Sequence, residues 1–68
     1  MDSIMNQVID ELRARRLEAG VSVSELAKRM GTERARISEI ENGRGGLTLK
    51  RMYQYAEALG LSVTINFE

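Results

Sequence analysis

The sequence predicts an all-α fold of four short helices over residues 1–60, followed by one β-strand over residues 61–68. Three observations carry this. Apolar residues recur at intervals of three and four through most of the chain, the spacing of helices with one buried face. Six glycines and no proline fit helices that are ended by glycine rather than kinked along their length. Only the last eight residues change period and alternate apolar with polar, as a half-buried strand does.

The first predicted helix runs from about Ser3 to Ala19, with Ile4, Met5, Val8, Ile9, Leu12 and Leu17 at mostly helical spacing and Gly20 as its stop. Ser22 and Glu25 form a Ser-x-x-Glu capping box that opens a second helix over Val23 to Met30. Gly31 ends it. Thr32 is then the expected cap of a third helix from Glu33 to about Glu41, whose apolar side is Ile37 and Ile40, and Asn42 and Gly43 end that one. The stretch Gly43-Arg44-Gly45-Gly46 reads as flexible. Thr48 caps a fourth helix with an expected buried stripe of Leu49, Met52, Ala56 and Leu59, Tyr53 or Tyr55 at its edge, and Gly60 as its close. Beyond it Leu61, Val63, Ile65 and Phe67 alternate with Ser62, Thr64, Asn66 and Glu68. This strand has no second strand in the chain to pair with, so its expected partner is another copy of itself, antiparallel about a two-fold axis.

Length and composition narrow the function. With 68 residues there is room for one small domain, whose core alone rarely supplies more than about 3–5 kcal/mol. The chain has no Cys and no His, which removes disulfides, thiolate and imidazole metal sites and the two commonest catalytic side chains. Oligomerisation is the remaining staple, and neither a metal nor another cofactor is expected. No apolar run approaches the roughly 18 residues of a membrane span, and no signal peptide is evident, so the expected location is the cytoplasm. Net charge is zero, but all ten Lys and Arg lie between Arg13 and Arg51, opposed there only by Glu18, Glu25, Glu33, Glu39 and Glu41. A basic middle flanked by acidic ends can meet a polyanion through one face while the whole molecule stays neutral.

The second and third helices, joined at Gly31 and Thr32, have the residue sizes of a helix-turn-helix. Two short helices crossing steeply need a small residue at their contact, supplied by Ala27. A chain reversal this tight needs a residue tolerant of positive φ, supplied by Gly31. Ile37 and Ile40 then lock the third helix onto Val23, Leu26 and the first helix. With those two facing inward, the outward stripe is Arg34, Ala35, Ser38 and Glu39, the base readers if this helix lies in a major groove. Arg34 could grip guanine O6 and N7, Ala35 could pack on a thymine methyl, and Glu39 could accept from cytosine N4 or orient Arg34. Arg36 and Arg44 read as phosphate contacts. Cations near a helix N-terminus oppose the helix dipole at a cost of about 0.3–1 kcal/mol, which a nearby phosphate or guanine would reverse.

The stretch from Gly20-Val21-Ser22-Val23-Ser24-Glu25-Leu26-Ala27 through Met30-Gly31-Thr32 to Ile37-Ser38-Glu39-Ile40-Glu41-Asn42-Gly43 resembles the phage-repressor and Cro-like (XRE-type) helix-turn-helix family, and the resemblance continues through Ala56-Glu57-Ala58-Leu59-Gly60. It covers about residues 9–60. It implies a lambda-repressor-like domain over residues 1–60 that binds double-stranded DNA; the C-terminal dimerisation strand at residues 61–68 follows instead from its unpaired edges. It also implies base-edge contacts at Arg34, Ala35 and Glu39, and a bond from Arg16 to the Glu of Glu41-Asn42-Gly43. Further phosphate contacts are expected at the start of the second helix, around Ser22 and Val23, and at Asn42 and Gly43. The chain departs from its relatives at Val23, where many carry a glutamine that binds phosphate; Ser24 is the partial substitute. Where many relatives add a fifth helix, this chain has the strand, an ending similar to that of HipB- and HigA-type antitoxins.

Of the other charges, Glu11 with Arg15 and Glu25 with Arg29 are one turn apart and read as pairs within their helices. Catalysis finds little support: Glu39 and Glu41 are two apart on a helix and face different ways, and Gly43-Arg44-Gly45-Gly46 lacks the spacing of a phosphate-binding loop. The expectation is a non-enzymatic repressor that binds a palindromic operator as a homodimer through Leu61, Val63, Ile65 and Phe67, and that serves as the antitoxin of a toxin–antitoxin pair. A phage or regulatory repressor without a toxin, and a protein-interaction module that keeps the fold without binding DNA, are the alternatives.

Overall fold

A computed structural model of the chain describes residues 3–44 and 47–68. Four helices follow one another: α1 (Ser3–Glu18), α2 (Val23–Met30), α3 (Arg34–Glu41) and α4 (Leu49–Ala58). α2 packs against both α3 and α4, and α1 packs against α3. The core gathers between them from Ile9 and Leu12 of α1, Val21, Leu26 and Ala27 around α2, Ile37 and Ile40 of α3, and Tyr55 and Ala56 of α4. Fully burying a side chain the size of Leu26 or Ile37 contributes roughly 1.5–3 kcal/mol, so these few residues account for most of what holds the domain.

The helix boundaries follow local chemistry. Ser22 is the N-cap of α2, and its hydroxyl accepts from the Glu25 N–H at 3.0 Å, as the capping box requires. The Glu25 carboxylate, expected to reach back to the cap, accepts from Arg29 Nε at 3.1 Å. Thr48 caps α4 in the same way, accepting from the Arg51 N–H at 3.1 Å. α3 differs from expectation. Its N-cap position is Glu33 rather than Thr32, and no side chain caps it. Thr32 completes the turn that closes α2, its N–H donating to the Ala27 carbonyl at 2.9 Å beside the Gly31 N–H to Lys28 at 3.2 Å, so the extended N-cap backbone (φ −93°, ψ 153°) falls one residue later, at Glu33. Gly31 takes φ of +69°, which lets α2 end and α3 start within four residues.

α4 corrects the expected stripe. Leu49, expected inside, is 62% exposed, whereas Tyr55, expected at the edge, is completely buried; Tyr53 is the exposed tyrosine. The buried face of α4 is centred on Tyr55 and Ala56, with Met52 and Leu59 packed beside them, and Leu49 lies off its centre. Ile4 and Leu17, placed on the inward face of the first helix, are likewise exposed. Among the described residues there is no strand: residues 61–68 form no regular element within the chain, because a strand takes its hydrogen bonds from a second strand and none is present. Leu61 and Val63 nevertheless pack against the core. Of the stretch read as flexible, Gly45 and Gly46 lie outside the described residues.

Candidate nucleic-acid interface

α3 is anchored from behind. Ile37 and Ile40 are buried against α1 and α2, which leaves Arg34, Ala35, Ser38 and Glu39 exposed on its opposite face, as their spacing required. Arg36 is exposed as well and pairs loosely with Glu39, Nε to Oε1 at 3.6 Å. Glu39 is thus engaged by Arg36 rather than by Arg34. Arg34, the first residue of α3, forms no ion pair among the described residues, and the first turn of the helix holds no acidic residue. Its charge stands at the positive end of the helix dipole, next to the N-cap residue Glu33, with which it forms no ion pair among the described residues.

Around this face lie the groups expected to meet phosphate. Asn42, Gly43 and Arg44 are exposed immediately after α3, where the Arg44 N–H is held by the Glu39 carbonyl at 2.9 Å while its side chain has no partner among the described residues. At the other side is the start of α2. The first N–H groups of a helix have no partner within it. Ser22 takes the Glu25 N–H, so the N–H groups of Val23 and Ser24 are left pointing away from the helix. The Val23 side chain is half-buried and packs against the core, which leaves only its backbone for a ligand; Ser22 and Ser24 are exposed beside it.

The end of α3 is fixed by a buried polar cluster. Arg16, only 6% exposed, donates from Nε to Glu41 Oε2 at 2.8 Å and from Nη2 to Oε1 at 3.2 Å, and its Nη1 donates to the Val21 carbonyl at 2.8 Å. The Arg16–Glu41 link expected from the family resemblance is therefore present, and it joins α1, the α1–α2 turn and α3. Tyr55 completes it by donating its hydroxyl to Glu41 Oε2 at 2.5 Å, which brings in α4, and Arg13 lies 3.8 Å from Glu41 on the solvent side. Burial pushes the Glu41 carboxyl upward, but the bonds from Arg16 and Tyr55 and the charges of Arg16 and Arg13 together hold it below its ordinary value. Burial first, and then the bond to Glu41, push the Tyr55 hydroxyl well above the usual phenol range. No side-chain N or O atom buried in the described residues lacks a partner.

Sequence reasoning missed the Tyr55 bond, although Tyr55 stands three residues after Met52 and four before Leu59 and so shares their face. It also missed that Arg29, besides meeting Glu25, donates to the Ala58 carbonyl at 3.0 Å and ties α2 to the end of α4. Among the described residues no group of His, Cys, Asp and Glu is arranged to hold a metal ion, and no helix is long and apolar enough to cross a membrane.

What this arrangement offers chemically is a short helix anchored from behind, presenting an exposed face of Arg34, Ala35, Ser38 and Glu39, with exposed Arg44 just beyond its end and the N–H groups that open α2 beside it. Residues 12–66 match the family model HTH_3, a helix-turn-helix family. Neither the curated proteins nor the solved structures contain a match. The matched span includes α2, the Gly31 turn, α3 and α4, and on this ground the chain belongs to the XRE-type helix-turn-helix family of DNA-binding regulators.

Proposed function

We propose that the protein is a transcriptional repressor that reads a two-fold symmetric operator as a homodimer. The observation that carries this reading is the uncommitted charge on and beside α3: Arg34 and Arg44 are exposed and unpaired among the described residues, on a helix whose inner side is locked by Ile37 and Ile40. Arg34, Ala35, Ser38 and Glu39 face the base edges of the major groove. Arg36, Arg44, Asn42 and Gly43 meet the phosphates on one side, and the Val23 and Ser24 N–H groups with the Ser22 hydroxyl meet them on the other. Residues 61–68 supply the dimer contact, with Leu61, Val63, Ile65 and Phe67 on the covered side of a two-stranded ribbon.

The finer role we propose is that of an antitoxin repressing its own operon together with a toxin protein. Support comes from the alternating segment after Gly60, which is similar to that of HipB- and HigA-type antitoxins. Co-expression with the adjacent gene tests it: co-purification of a toxic product that this chain neutralises is the expected outcome, and a neighbour without toxicity would leave a repressor of another kind.

The functional reading is tested by measuring binding to the promoter DNA of its own gene across a range of salt concentrations. Phosphate contacts release counterions, so affinity should fall steeply as salt rises, with a slope of about −0.9 per phosphate neutralised. Absence of binding, or binding with no salt slope, would leave a module that meets other proteins instead, the reading favoured by the loss of glutamine at Val23 and the zero net charge.

A further inference from the structure

An apolar groove of about 720 Å³ runs between α1, the start of α4 and the C-terminal segment, walled by Val8, Leu12, Leu47, Met52, Leu61 and Val63. Glu11 and Arg15 also line it but are paired with each other at 2.7 Å, so the groove presents no net charge. Its rim holds Ile4 and Leu49, both large and largely exposed. Exposed apolar side chains gathered at one place mark a contact surface, whereas isolated ones need no explanation.

The C-terminal segment indicates what covers it. Burial along its apolar positions fades with distance from α4: Leu61 and Val63 are partly buried, Ile65 is 45% exposed and Phe67 is 94% exposed. The segment thus runs out of helix to lie on before it runs out of apolar side chains. Its backbone belongs to no ladder among the described residues. In an antiparallel pair about a two-fold axis, directly opposed residues point to the same face. With the axis beside Thr64, all four apolar positions are paired: Phe67 lies across from the partner's Leu61, and Ile65 across from the partner's Val63. Opposed side chains sit about 4.5–5.5 Å apart at Cβ. Leu61 and Val63 are groove walls.

We propose that each groove is filled by a second copy of this chain, which seats its Phe67 over Leu61 and between α1 and α4 of the other subunit, in reciprocal exchange. This rests on the homodimer reading above and adds to it a specific occupant, so that the ribbon is pinned at both ends by Phe67. The two α3 helices are then held at a fixed separation, because each subunit's α1 and α4 are gripped by the other's C-terminus.

Phe67→Trp tests this directly, since the chain has no other tryptophan. In full-length protein the emission should shift to the blue as concentration rises, following dimer formation measured in parallel by analytical ultracentrifugation. Mixing in an excess of chains carrying Leu49→Arg, a substitution at an exposed rim position that leaves the core untouched, should reverse the shift. A dimer whose tryptophan stays solvent-like would overturn the seating of Phe67 while leaving the homodimer intact. A blue shift independent of concentration would place Phe67 in its own groove. A chain that stays monomeric at every concentration would overturn the homodimer as well.

Discussion

Arg16 and Glu41 are both nearly buried, and each satisfies the other's charge with the help of Val21 and Tyr55. Breaking such a pair from one side leaves a stranded charge and costs about 3–5 kcal/mol, as much as a core of this size supplies. Glu41→Ala should therefore unfold the protein at room temperature, as circular dichroism would show. Tyr55→Phe removes one bond to a charged acceptor and should cost about 1.5–3 kcal/mol in urea denaturation. A loss near zero would mean that Tyr55 contributes only its ring. Gly31→Ala forces an L side chain into the left-handed region at φ +69° with nothing crowding the site, so the cost should be the backbone preference alone, about 1–2 kcal/mol. At this scale the sequence was partly legible. Gly31 and Ala27 followed from what a tight helix pair needs, and Arg16 with Glu41 from family resemblance. Tyr55 did not, because tyrosines stand at both 53 and 55 and periodicity alone does not say which ring goes inside.

At the scale of elements, α3 is a short helix that owes little to its own capping, since Glu33 gives it no side-chain cap. It holds because Ile37 and Ile40 fix one face and Glu41 fixes its end. This makes the orientation of the exposed face depend on the ionisation of Glu41. Its folded-state carboxyl titrates below its ordinary value of 4.5, so its charge favours the folded chain above that pH. The contribution is lost as pH falls through the lower folded value. Stability should be level with respect to this group above about pH 4.5 and should fall below it, and urea midpoints measured between pH 7 and pH 3 would show the decline. Midpoints that rise on acidification would contradict it. The four helices were legible from spacing and glycine stops. The N-cap of α3 was not, because the turn that closes α2 extends through Thr32 and moves the start of α3 one residue on, to a residue without a capping bond.

Across the whole molecule, one chain presents one exposed α3 face and a C-terminal segment that is covered on only part of its length. The residues expected to read bases all emerged on one exposed face, because Ile37 and Ile40 determine which way a helix this short can turn. The groove beside Leu61 was not legible, since it is assembled from α1, α4 and the C-terminal segment, which are far apart in sequence. If the homodimer reading holds, Ile65→Lys, at an exposed position, should give a folded monomer and a large loss of operator affinity, because two linked readers become independent. Footprinting should show two half-sites about 10–10.5 base pairs apart, or a multiple of that, since two reading helices on one face must enter successive major grooves. A single occupied half-site would contradict it. The claim beneath all of this is that the exposed face of α3 reads sequence. The most direct measurement compares Arg34→Ala and Arg44→Ala on a set of operators that differ by single base pairs. Arg34→Ala should erase discrimination at one position, worth about 1–3 kcal/mol, while Arg44→Ala should weaken binding to every operator alike. Equal losses on all operators for both variants would contradict the assignment of base reading to α3.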